Sequence, residues 1–241
     1  HTRSSAASDV YKRQILNDKK KLFILFISGF LIFINWGVWI YAVSVDKIID
    51  ASFGYFIMPI ISVFLGNFFF KEPITKKGKI SIFLVIISVS YLLIIDFNSI
   101  PWVGLIVALS WSFYNLFRKK INVETDIGLL IESLYILPFV LVAFYFISIN
   151  NYNDFSLSNP SLMPLLMLAG PMTVIPLFLY VRGVELAGLG PAGMIFYITP
   201  TLQFILGFFI YNEQFNINQL VSFILIWIAV FIYLKDIYEK N

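Results

Sequence analysis

The sequence predicts an all-α polytopic membrane protein, and three observations point there. Of its 241 residues, 59% are hydrophobic and 13% charged, whereas soluble domains hold about 45–50% apolar and about 25% charged residues. The apolar residues fall into eight long runs without alternation. The basic residues collect in alternate connections between those runs.

A spanning helix needs about 20 mostly apolar residues. The runs are Leu22–Ser44, Ala51–Phe70, Ile80–Ile95, Pro101–Phe117, Ile127–Ile149, Leu162–Val181, Ala192–Tyr211 and Leu220–Leu234. The third and the last are short and are expected to extend into their flanks. Strands of a membrane barrel would alternate apolar and polar residues; these runs are continuously apolar, so helices are expected.

Orientation follows from the cations, since cytoplasmic connections carry the Lys and Arg. Lys19, Lys20 and Lys21 precede the first run. Lys71, Lys76, Lys77 and Lys79 separate the second and third, and Arg118, Lys119 and Lys120 separate the fourth and fifth. Arg182 follows the sixth, and Lys235 and Lys240 lie near the end. The other connections hold only Lys47, between Asp46 and Asp50. Eight spans with this pattern put both visible termini in the cytoplasm.

The first fourteen residues, "HTRSSAASDVYKRQ", differ from all that follows. They lack the apolar core and cleavage site of a signal peptide. They resemble translated sequencing-adapter sequence, so residues 1–14 are read as non-native.

Sliding the chain against itself by 141 residues aligns "GYFIMPIISVFLGNFFFKE" with "IFYITPTLQFILGFFIYNE". Pro59 falls on Pro200, Leu65-Gly66 on Leu206-Gly207, and Glu72 on Glu213. Spans one to three thus match spans six to eight. Equivalent spans are five apart, an odd number, so the copies face opposite ways: an inverted repeat, as in many secondary transporters. The second copy, residues 98–241, has five spans; the first, residues 15–97, has three. The expectation is a ten-helix, 5+5 fold with two helices missing before Leu22, and a chain that does not function as it stands.

Ten helices in two inverted halves resemble the drug/metabolite transporter superfamily, of the EamA type. "INWGVWIYAVSVDKIIDASFGYFIMPIISVFLGNFFFKE" (Ile34–Glu72) resembles the RarD family. So do "SIPWVGLIVALSWSFYNLFRKK" (Ser99–Lys120), "ESLYILPFV" (Glu132–Val140) and "LAGLGPAGMIFYITPTLQFILGFFIYNE" (Leu186–Glu213). The resemblance implies a bacterial inner-membrane permease. The family's label, chloramphenicol-sensitive protein, names a phenotype rather than a transported molecule.

Pro59 and Pro200 sit near the middle of their spans, where proline removes a backbone donor and displaces the carbonyl four residues earlier. Such a bend shapes a central cavity or hinge, or is simply tolerated in a packed bundle. Ser52, Tyr55 and Pro59 share a helical face, as do Gly193, Tyr197 and Pro200. Gln203, Thr199 and Thr201 add polar groups in the second copy. Asn35 and Trp36 lie inside the first span and either line a substrate path or tie helices together. Glu132, inside the fifth span, is a functional candidate by default. It could bind a cationic group, couple transport to protons, or pair with Arg118, Lys119 or Arg182. Glu72 and Glu213 close their helices, where a carboxylate opposes the macrodipole; gate salt bridges or solvated ends are the two readings. Arg182 and Glu185 read mainly as topology signals. Gly29, Gly37, Gly66, Gly170 and Gly207 read as close-packing points.

Cysteine is absent and the one histidine is His1, so no thiol chemistry is available and no metal site or cofactor is implied. No phosphate-binding loop points to ATP drive, and topology explains the basic residues without nucleic acid. The reading is a secondary transporter of a small organic metabolite or drug-like solute, embedded in the lipid bilayer and working by alternating access. The alternatives are a membrane enzyme acting on lipid-linked substrates, which would need more than Glu132, and a receptor or scaffold without transport.

Overall fold

A computed structural model describes residues 15–45, 47–96, 101–150, 152, 153, 155, 160, 162–202 and 217–239. Among these residues the fold is helical. The elements are α1 (Lys19–Ser44), α2 (Ile48–Phe70), α3 (Lys76–Asp96), α4 (Trp102–Ile121), α5 (Thr125–Ile149), α6 (Leu162–Ala187), α7 (Leu189–Ile195) and α8 (Ile217–Tyr238). The third and last runs do extend into their flanks, as α3 and α8.

Five of these helices are long and apolar enough to cross a membrane: Lys19–Ser44, Lys76–Ile95, Thr125–Ile149, Leu162–Ala187 and Leu220–Tyr238. These five are counted among the described residues, against the eight expected, and the seventh run continues outside the described residues from Gln203. α2 itself runs 23 residues, Ile48–Phe70, a length that suits a span. In α4 a polar stretch with Ser110, Ser112 and Asn115 runs into Arg118, Lys119 and Lys120 in the last turn. The seventh run is interrupted: α7 ends at Ile195, Phe196 and Tyr197 form a turn, and helix resumes at Ile198. Pro200 accounts for the break, because its ring displaces the carbonyl four residues back, that of Phe196. The carbonyl instead accepts the Thr199 N–H at 2.9 Å.

The chain forms two compact units, one built from residues up to Phe33 with Phe117–Leu186, the other from Ile34–Leu116 with the chain from Ala187 onward. In the second unit α8 lies antiparallel to α3 and α7 packs along α2. Ser88 donates to the Ser222 carbonyl at 2.8 Å and Tyr91 to Asn218 Oδ1 at 2.9 Å. Val63, Val85, Val89, Leu92, Met194, Tyr197, Ile226 and Ala229 form its core. Small residues allow close approach elsewhere in this unit. A Cβ on Gly54 would lie 2.5 Å from the Gly104 carbonyl, so α2 and α4 meet backbone to backbone there.

In the first unit Leu25 of α1 joins Ile121, Val123, Ile127 and Ile131 in a buried cluster. Phe26 stands edge-on to Tyr135 and Phe30 edge-on to Phe139. The far ends of α5 and α6 present Phe, Leu, Met and Val outward. Apolar side chains facing out are the normal state of a helix solvated by lipid. Gly29 is a packing point, where a Cβ would lie 3.3 Å from the Glu132 backbone, and Gly66 lies under Glu72. Gly37 and Gly170 are not: among the described residues nothing lies within 4 Å of where their Cβ would be. Gly207 lies outside the described residues.

Candidate functional site

In the second unit the site is built around Pro59 of α2. Pro59 is buried inside α2, which remains continuous. Proline takes away the donor for the Tyr55 carbonyl, and in a bilayer loosened backbone needs other partners. Two side chains supply donors close by. Tyr197 Oη donates to the Phe56 carbonyl at 2.8 Å, and Ser112 Oγ reaches the Met58 carbonyl at 3.5 Å. Gly193 lets α7 press against α2 at Pro59: a Cβ there would sit 3.3 Å from the Pro59 carbonyl and 2.8 Å from Ser62 Cβ.

Beside this part of α2 stands a group of aromatic rings. Tyr55 lies 5.3 Å from Trp39 and 5.7 Å from Phe196, centroid to centroid. Trp111 lies 5.9 Å from Phe196 and 6.1 Å from Tyr114. Trp39, Tyr55, Trp111 and Phe196 are half-buried, each offering part of a ring.

The predicted residues divide between walls and struts. Asn35 is buried, and its amide donates to the Val107 carbonyl at 2.9 Å and to Ser110 Oγ at 3.0 Å. It ties α1 to α4. Tyr197 is buried and ties the broken segment to α2. Trp36 is exposed. Pro200 is buried, and Thr201 beside it accepts the Trp227 indole N–H at 2.9 Å. The Ser52 side chain, Gln203 and Glu213 lie outside the described residues.

Glu72 is not the solvated helix end that was one of the two readings for it. Its backbone N–H bonds the Gly66 carbonyl at 3.2 Å, after Lys71 ends α2 in the left-handed region with φ 56°. The turn sends the carboxylate to the start of α7, where Oε1 accepts the Leu189 N–H at 3.0 Å and Oε2 the Gly190 N–H at 2.9 Å. At a helix N-terminus the macrodipole favours a carboxylate, so the electrostatic objection does not apply.

In the first unit Glu132 is 3% exposed and meets Arg118, which is 1% exposed, with Nε–Oε1 3.6 Å. Ser28 donates to Glu132 Oε1 at 2.5 Å. Arg118 Nη2 lies 3.7 Å from Glu185 Oε1. Glu185 Oε2 also receives the Thr125 hydroxyl at 2.7 Å and Arg182 Nη1 at 3.2 Å. Two guanidinium groups and two carboxylates thus balance. Gly128 makes room, since a Cβ there would lie 1.7 Å from Arg118 Nη1. Arg182 and Glu185 are therefore more than topology signals. Of the partners weighed for Glu132, Arg118 faces it. Among the described residues no cluster of His, Cys, Asp or Glu could hold a metal.

A sequence model of the EamA-like transporter family matches residues 4–94 and 99–235. The chain belongs to that family. The match starts inside the stretch set aside as foreign. Relatives include Protein RarD of Escherichia coli, 34% identical over 226 residues, covering 94% of this chain and 76% of that protein. Protein RarD of Salmonella typhi is 34% identical over 93% of this chain and 76% of its own length. The uncharacterized transporter YojE of Bacillus subtilis is 34% identical over 87% of this chain and 69% of its own length. This EamA-like protein is a RarD-type secondary transporter of small molecules, a multi-pass protein of the inner membrane.

Trp39, Trp111 and Phe196 were not singled out in the sequence. Their signal was weak: aromatics make up 18% of the chain, and nothing marks these three until α1, α2, α4 and the α7 break bring them together.

Proposed function

We propose that solute moves along the aromatic face beside Pro59 of α2, by alternating access between two inverted halves, with both visible termini cytoplasmic. The observation that carries this reading is the helix break at Phe196–Tyr197, beside the part of α2 that holds Pro59. Transporters of this architecture put their substrate sites at discontinuous helices, and here one of the two equivalent segments is discontinuous while α2 is not. Trp39, Tyr55, Trp111 and Phe196 form the walls, and Asn35, Pro59, Tyr197 and Pro200 hold them in position. Flat, mostly apolar walls with few polar groups suit a small organic solute with an apolar body.

Glu132 acts in this proposal as a counter-ion that holds α1, α4 and α5 together, rather than as a coupling site. This proposal takes the chain to be functional, against the expectation from its repeat count, and the test is flux into proteoliposomes containing the purified chain. Labelled chloramphenicol is one probe, because a Pseudomonas aeruginosa relative, 26% identical, is named chloramphenicol-sensitive protein RarD. A panel of small organic solutes supplies the others. Saturable flux lost in Tyr55→Ala and independent of an imposed pH gradient supports the reading. Flux that follows the pH gradient and disappears in Glu132→Gln returns Glu132 to the coupling role.

A further inference from the structure

We propose that Glu72 is a positioning residue for transport: its carboxylate clasps the start of α7 and thereby sets where Phe196 and Tyr197 stand against α2. The inference rests on the aromatic-face reading above.

The segment it holds is short and has a hinge at each end. α7 comprises seven residues, Leu189–Ile195. Before it, Gly188 has φ +97°, a conformation that side-chain-bearing residues rarely adopt. After it, the helix breaks at Phe196–Tyr197. A rigid piece between two such points can rotate unless something fixes it. Three contacts do so. Both Glu72 oxygens take N–H groups at the start, Gly193 seats on Pro59 and Ser62 in the middle, and Tyr197 Oη bonds the Phe56 carbonyl at the end.

Glu72 is itself held in place. Asn67 Nδ2 donates to its carbonyl at 2.9 Å, and its own N–H bonds Gly66. Gly66 and Gly188 leave room for its carboxyl group: a Cβ would meet carboxylate oxygens at 2.5 Å and 2.8 Å respectively. Gly190 lies beside the Tyr233 hydroxyl, 2.8 Å from where its Cβ would be. The clasp therefore joins the C-terminus of α2 to the N-terminus of α7 with charge-assisted bonds, the stronger kind. Release at Glu72 frees the first hinge while the contacts at Gly193 and Tyr197 remain.

The experiment measures the segment directly, with no solute present. The chain has no cysteine, so cysteines at Phe64 and Ile195, both exposed, take nitroxide labels alone. Pulsed EPR on the reconstituted full chain reads the distance between them. The proposal expects one narrow distribution with Glu72, and a second, longer population that grows about tenfold or more in Glu72→Gln, since charged hydrogen bonds are lost. Glu72→Asp, which keeps the charge, restores part of the narrow population. Gly190→Ala, which crowds the clasp without removing the carboxylate, also broadens the distribution. Unchanged distributions in Glu72→Gln and Gly190→Ala, with circular dichroism showing folded protein, overturn the proposal. A changed distribution with unaltered chloramphenicol or panel flux retains the clasp and removes its role in transport, which overturns Glu72 as a positioning residue. Loss of flux in Tyr55→Ala with a normal Glu72 distribution bears on the path reading alone.

Discussion

Arg118 and Glu132 face one another inside the protein at 3.6 Å, with side-chain exposures of 1% and 3%. Removing one partner of such a pair leaves an uncompensated buried charge, which costs about 3–5 kcal/mol. Arg118→Ala is expected to lower stability by that amount in a denaturant titration in detergent micelles. The paired change Arg118→Met with Glu132→Leu removes both charges and should recover most of the loss, because buried ion pairs often exchange for apolar groups at little cost.

The glycine under Arg118 provides a separate prediction. A methyl group at Gly128 would overlap the guanidinium, whose Nη1 lies 1.7 Å from the ideal Cβ. Gly128→Ala should therefore expel Arg118 and destabilise the protein nearly as much as Arg118→Ala. Gly170→Ala is the control, since nothing described lies within 4 Å. It should be neutral or stabilising by up to about 1 kcal/mol through helix propensity. Thermal melts of the two variants in one detergent compare them.

Tyr197→Phe keeps the buried ring and removes only the bond to Phe56. Interhelical hydrogen bonds of this kind average about 0.6 kcal/mol in membrane proteins and reach about 1.7 kcal/mol. A loss within that range is expected in unfolding measurements. Flux should fall because the α7 break loses its anchor on α2. Unaltered flux would show that the aromatic face does not depend on this strut.

At the outer ends of α3 and α8, Lys77 pairs with Glu239. Hydrogen bonding and charge from Lys77 pull the Glu239 carboxyl below its ordinary value. The sign follows: the stabilisation is present above the ordinary carboxylate pKa and is lost as pH falls through the lowered one. The pair is exposed, so salt should erase the effect. A melt series from neutral to acid pH, at low and high salt, should show Glu239→Gln differing from the parent only at low salt and above the carboxylate range.

The bilayer wrote the helices into the sequence, because each spanning segment must satisfy its own backbone within one apolar run. Pro200 also announced its break, which lies where a displaced Phe196 carbonyl puts it. Pro59, the same residue type in the matching place, leaves α2 continuous with Tyr197 and Ser112 donating nearby. That difference depends on residues far along the chain and could not be read locally. Arg118 shows the same limit. In "RKK" three adjacent cations look alike, but successive helical residues point about 100° apart, and Arg118 is buried while Lys120 is exposed. Glu72 was misread because its partners, Leu189 and Gly190, lie 117 and 118 residues away. Judged against its own helix it sits at the wrong end of a dipole; judged against α7 it sits at the favourable one.

Solute flux in proteoliposomes, comparing the parent with Tyr55→Ala, tests the central claim most directly. The account predicts saturable flux of at least one small organic solute in the parent and its loss in Tyr55→Ala, with both proteins equally folded by circular dichroism. Equal flux in the two proteins, or none from the parent across the whole panel, would contradict it.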